Sequence, residues 1–172
     1  MFGFGKPKAG ENIVTKGKVV IHTFNPFKDE TTTRTKKSVE IKLEKGSHKC
    51  QLFFERFQKS EEDSSFDVVR LICYTDQGKK GGRIDVSRFQ EIIFNIDMSQ
   101  NYSYQEVWKE WPSGSTNRNC FIINSLEEFK EIINAGQLEV RIGTVASNIN
   151  LSNREEKKLQ ILGKAFYDEV YA

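Results

Sequence analysis

The segment Phe66 to Ile96, FDVVRLICYTDQGKKGGRIDVSRFQEIIFNI, constrains the fold more than any other, because one run holds a strand, a glycine-lysine turn, a second strand and a helix signal. Val69, Leu71 and Cys73 alternate with Asp67, Arg70, Ile72 and Tyr74, the pattern of a half-buried strand rich in β-branched and aromatic residues. Gly78, Gly81 and Gly82 around Lys79 and Lys80 then allow the positive φ angles of a tight reversal. Arg83 to Val86 is a short second strand. Ser87 followed by Gln90 has the spacing of a capping box, in which the serine hydroxyl accepts from an orphan N–H at a helix start. Phe89, Ile92, Ile93 and Ile96 fall at i, i+3, i+4 and i+7, so the spacing predicts an amphipathic helix whose apolar face must cover a sheet.

At 172 residues the chain has the length of one domain, which we expect over 17–172, preceded by a flexible basic arm over 1–16, MFGFGKPKAGENIVTK. It contains no run of ~18 apolar residues and begins without the apolar core of a secretory signal, so the expectation is an intracellular protein, cytoplasmic or nuclear, with no membrane partner. Cys50, Cys73 and Cys120 lack CxxC spacing and sit in apolar runs, which reads as buried thiols rather than a disulfide framework or a zinc site with His22 and His48. No cofactor is expected. The net charge of +2 hides an asymmetry: residues 1–59 carry 13 Lys and Arg against 6 Asp and Glu, the remainder 13 against 18. Segregation of this kind offers a basic face to an anion, most commonly nucleic acid; a basic arm without function is the blander reading.

Along the chain, Lys18 to Phe24 reads as a strand, Lys28 to Lys37 as a polar loop, and Val39, Ile41 and Leu43 as a strand with one wet face, turning at Gly46 and Ser47 into a strand from His48 to Phe57. That last strand is unusual. Cys50, Leu52 and Phe54 form its apolar face, while the opposite face reads Lys49, Gln51, Phe53, Glu55, Phe57. Aromatic rings interleaved with basic and amide groups suit a single strand of nucleic acid, whose bases stack while cations meet phosphate. The competing reading puts Phe53 and Phe57 under a helix or at a subunit interface.

Farther on, Tyr102, Tyr104, Glu106, Trp108 and Glu110 line one side of a strand, and Cys120 to Ile123 form another after a loop through Arg118. Ser125 with Glu128 opens a second helix bearing Leu126, Phe129, Ile132 and Ile133. Leu138, Val140 and Ile142 mark a strand, and Ser152 with Glu155 opens a third helix with Leu159, Leu162, Phe166 and Val170 inward. The run Ile84 to Ile93 echoes Ile122 to Ile133, with Phe-Gln-Glu-Ile-Ile against Phe-Lys-Glu-Ile-Ile, as two sheet-plus-helix halves or a coincidence would give. The fold expected is α+β, a mainly antiparallel sheet of six to eight strands with three amphipathic helices packed on it.

No nucleophile elbow, Walker loop, dinucleotide fingerprint or HExxH motif is present. Glu40-Ile41-Lys42, preceded by Asp29, resembles the E-x-K element of metal-dependent nucleases of the restriction-endonuclease-like superfamily, in which two carboxylates hold Mg²⁺. A second resemblance covers residues 66–96. Asp67 to Arg70, Gly78 to Gly81 and Ile84 to Phe89 resemble the strand, glycine-lysine turn, strand and helix of the general transcriptional coactivator and the plant Whirly proteins. It implies binding of unwound DNA or RNA across a sheet, by a dimer or higher oligomer. The function expected is therefore a non-enzymatic, sequence-tolerant single-stranded DNA- or RNA-binding protein. Its site would comprise Lys49, Gln51, Phe53 and Arg70 on the sheet, Lys79, Lys80 and Arg83 at the turn, and Tyr102, Tyr104 and Trp108 as a second stacking group. The alternative is a protein-interaction or assembly module that uses the same aromatics as a homo-oligomer or partner interface.

Overall fold

Alternation of period two governs more of this chain than its helix signals do. The computed structural model describes residues 11–42, 49–61, 64–76, 89–113, 116–144 and 147–172. Among them are eleven strands, β1 (Ile13–Lys16), β2 (Val20–Asn25), β3 (Glu30–Thr35), β4 (Val39–Lys42), β5 (Lys49–Glu61), β6 (Ser64–Asp76), β7 (Glu91–Ile96), β8 (Gln100–Ser113), β9 (Thr116–Ile123), β10 (Leu138–Thr144) and β11 (Ser147–Asn150). Two helices join them, α1 (Leu126–Asn134) and α2 (Asn153–Val170). The strands form one sheet in the order β1-β2-β3-β5-β6-β9-β8-β7-β10-β11. β3 and β4 share one edge of β5, β3 along Glu55 to Lys59 and β4 along Lys49 to Leu52.

One face of this sheet is apolar and covered. Leu52, Phe54, Leu71, Phe121, Ile92, Phe94, Val140 and Ile142 are buried on it. Phe129 of α1 and Phe166 of α2 meet Phe54 with ring centres 5.2 and 6.1 Å apart. Gly163 lets α2 approach, since a Cβ there would stand 2.5 Å from Ile133 Cγ2 and 3.2 Å from the Phe54 ring. The helices are fixed at their ends. Ser125 Oγ accepts from Glu128 N–H at 3.1 Å, and Ser152 and Glu155 form a reciprocal capping box. Glu155 also accepts from Lys42 N–H on β4 and Glu169 from Val19 N–H before β2, while the Arg56 guanidinium lies over the Tyr171 ring. Both helices are thus committed to one face.

Eleven strands and two helices among the described residues replace the expected six to eight strands and three helices. The helix expected over Phe89 to Ile96 is strand β7. Ile92, Phe94 and Ile96 are buried while Glu91, Ile93 and Asn95 face the other way, so Ile93, counted in the helical stripe, lies on the opposite face. Three isoleucines and a phenylalanine in six residues favour the pleated conformation, and β8 and β10 supply ladders on both sides. The similar run in α1 is spaced by Glu127, Glu128, Lys130 and Glu131, straight-chain residues that favour helix. The echo of two sheet-plus-helix halves therefore ends in different structures; its residues 84–88, with Ser87, lie outside the described residues. β1 forms within the segment expected to be a flexible arm, pairing Ile13 to Lys16 with Phe24 to Ile21, and residues 1–10 of that arm lie outside the described residues. β3 occupies the expected loop, where four threonines supply β-branched side chains. No helix among the described residues is long and apolar enough to cross a membrane.

Candidate nucleic-acid interface

The strand register carries a second set of side chains across the face that the helices leave uncovered. Cross-strand partners share a face. One row runs Ile21, Arg34, Glu55, Arg70, Ile122 through β2, β3, β5, β6 and β9. The next on one side is Thr23, Thr32, Phe57, Val68, and on the other Phe53, Ile72, Cys120, Trp108. Beyond it stand Gln51, Tyr74 and Arg118.

Three arginines on this face each lie against an aromatic ring. The guanidinium carbon of Arg70 is 3.7 Å from the centre of Phe57, that of Arg34 5.2 Å from Phe53, and that of Arg118 5.4 Å from Trp108. A guanidinium lying over a ring has its N–H donors in the plane of the group, directed away from the stacking axis. Between the arginines lies an open cleft of about 380 Å³ with Glu55 and Ile72 among its walls. Ile72 and Cys120 are 2% and 0% exposed although neither α1 nor α2 lies on this face. Arg70 Nη1 donates to Glu55 Oε1 at 3.4 Å. Burial pushes the Glu55 carboxyl above its ordinary value, against the opposing charges of Arg70, Arg34 and Arg118.

Comparison with protein-family models, with curated proteins and with solved structures finds no match.

Of the residues expected to bind, Gln51, Phe53, Arg70 and Trp108 meet on the open face. Lys49 enters as a backbone position only, opposite Asp76, and Lys79, Lys80 and Arg83 lie outside the described residues. Tyr102 and Tyr104 belong to the covered side, which corrects their grouping with Trp108. Tyr104 is buried and donates to Glu128 on α1 at 2.6 Å, and Tyr102 donates to Glu131 of the same helix. A bulge between Glu106 and Trp108 reverses the alternation, re-aiming Trp108 to the open face while Glu106 still meets Asn119 beneath. Phe53 and Phe57 are not under a helix of the described residues. Each is instead partly covered by its arginine.

The E-x-K reading gains no partner carboxylate from Asp29. Glu40 pairs with Gln51 at one end of β5, whereas Asp29 O accepts from Ser60 N–H at the other, a separation of roughly 30 Å at ~3.3 Å per strand residue. Among the described residues no group of three or more His, Cys, Asp or Glu side chains could hold a metal. The three cysteines are buried; the Cys50 thiol 3.3 Å from Cys73, together with burial, holds the Cys73 thiol well above its ordinary value.

Arg34, Arg118 and the place of Glu55 escaped the sequence reading. Arg34 lies in a polar run that reads as a loop, although Thr31 to Thr33 and Thr35 around it are β-formers. Arg118 reads as part of the loop before Cys120, and the continuation of β9 back to Thr116 sets it beside Tyr74.

Proposed function

We propose that this protein binds single-stranded nucleic acid, DNA or RNA, across the open face of β3, β5, β6, β9 and β8. The observation that carries this is the set of three arginine-on-ring pairs around one cleft, all on the face opposite α1 and α2. Single-strand binders combine sequence-tolerant stacking surfaces with cations that follow the phosphates, and an arginine plane over a ring provides both in one unit. The proposal rests on these side chains and not on the family resemblance, whose glycine-lysine turn lies outside the described residues. Fluorescence anisotropy with labelled single-stranded DNA, single-stranded RNA and duplex at ~50 and ~200 mM salt tests it. Binding should favour the single strands and weaken steeply with salt. Failure to bind any of the three removes the proposal, and affinity indifferent to salt would point to a protein partner at the same face.

A further inference from the structure

The cleft holds a carboxylate that the described residues supply with few hydrogen-bond donors. Glu55 is 8% exposed, and among the described residues its one hydrogen bond is from Arg70 at 3.4 Å, the outer limit of a useful bond. A carboxylate can accept up to four hydrogen bonds, and a buried one lacking donors is costly. Three arginines surround it, so the cleft repels a cationic ligand. Its complement is a neutral, flat group that presents N–H donors and is attached to an anion. A nucleobase on its phosphodiester has that description, and about 380 Å³ lies within the range of sites that enclose small ligands, roughly 300–1,000 Å³.

We infer that the cleft reads one base of the bound strand, and that Glu55 selects guanine by accepting hydrogen bonds from its N1–H and N2–H. This rests on the proposed single-strand binding and adds a preference to it. The four bases differ in what they show a fixed carboxylate. Guanine has two adjacent donors matched to the two carboxylate oxygens. Adenine and cytosine place a ring-nitrogen acceptor beside their amino group, and thymine or uracil flanks its single N–H with two carbonyls. Only guanine meets an acceptor-only group without repulsion. The stacked walls supplied by Arg70 on Phe57 and Arg118 on Trp108 would hold the base plane while its edge meets Glu55.

The test uses the full chain and 15-nucleotide thymine strands carrying G, A, C or inosine at the centre, compared with the all-thymine strand by anisotropy at one salt concentration. The G strand should bind about tenfold more tightly than the A, C and T strands, the discrimination of one bidentate pair. Inosine, which lacks the N2 amino group, should lose most of that gain; this control leaves the protein untouched. In Glu55→Gln the affinities of the five strands should converge to within about twofold. Equal affinity of the wild-type protein for all five overturns the inference while single-strand binding stands. A guanine preference that survives Glu55→Gln or the change to inosine overturns it as well. Binding to no strand removes both the inference and the reading beneath it.

Discussion

The arginine-bearing half of the open face, on β3, β5, β6 and β9, and the half on β7, β8 and β10 belong to one sheet, yet they dispose of their polar side chains in opposite ways. On the second half Asn95 donates to Asn101 at 2.8 Å, and Ser103 and Gln105 both donate to Glu91 at 2.5 and 2.9 Å. These donors are paired with neighbours along the β7–β8 ladder, and Asn95 Oδ1 is the acceptor of this set that has no partner among the described residues. The cleft there is the larger, about 630 Å³, and its charged lining includes Glu91 and Glu139 with Arg141. On the first half three cations rest on rings around a cleft whose lining includes the Glu55 carboxylate. Volume alone would select the half opposite to the one proposed to bind. The proposed recognition of an anionic, aromatic polymer draws on cations set against rings, which the second half does not present among the described residues.

The sharpest way to break this comparison is to disarm each half in turn. Arg34→Ala with Arg118→Ala should weaken single-strand binding about a hundredfold at low salt, since each stacking or cation contact contributes ~1–3 kcal/mol. The slope of log affinity against log salt should also fall by more than one. Asn95→Ala with Asn101→Ala should change affinity less than twofold. Equal losses from the two pairs would mean that the halves do not differ in function. A smaller effect separates the two sides of the β8 bulge. Trp108→Ala should cost about tenfold in binding. Tyr104→Phe, which removes only the hydroxyl bonded to Glu128, should lower stability by ~1 kcal/mol in urea unfolding and leave binding unchanged.

That bulge also marks where the sequence stops being legible. The alternating runs at Val39 to Lys42, Val69 to Tyr74 and Leu138 to Ile142 name their own buried faces, and Ser125 and Ser152 announce α1 and α2 correctly. Lys49 to Phe57 likewise displays its aromatic second face in plain alternation. A bulge is a change of register against β9 and has no local signature, so Tyr102, Tyr104 and Trp108 read as one stripe when the fold separates them. β7 failed for the opposite reason. Its six residues satisfy the helical and the strand period together, and only the free edges of β8 and β10 decide between them. Arg34 and Arg118 became site residues through pairing partners distant in sequence, which no window of the chain contains.

Glu55 ties the comparison to pH. Its ordinary value is 4.5, and burial raises the folded-state value above that, with Arg34 on β3, Arg70 on β6 and Arg118 on β9 partly opposing the rise. Between 4.5 and that raised value the folded chain holds a proton that the unfolded chain has released, so stability falls as pH rises through the window and is level on either side. Glu156, accepting from Val140 N–H and likewise raised by burial, adds a decline of the same sign from the covered side of the sheet. Thermal unfolding across this range should therefore show a slope that Glu55→Gln reduces without abolishing, the residue belonging to Glu156. The guanine preference should move the other way. Protonated Glu55 donates where guanine needs an acceptor, so discrimination should grow over the same window in which stability declines. A guanine preference independent of pH there, with the stability slope intact, would detach the carboxylate from base reading and leave it as a partner of Arg70 alone.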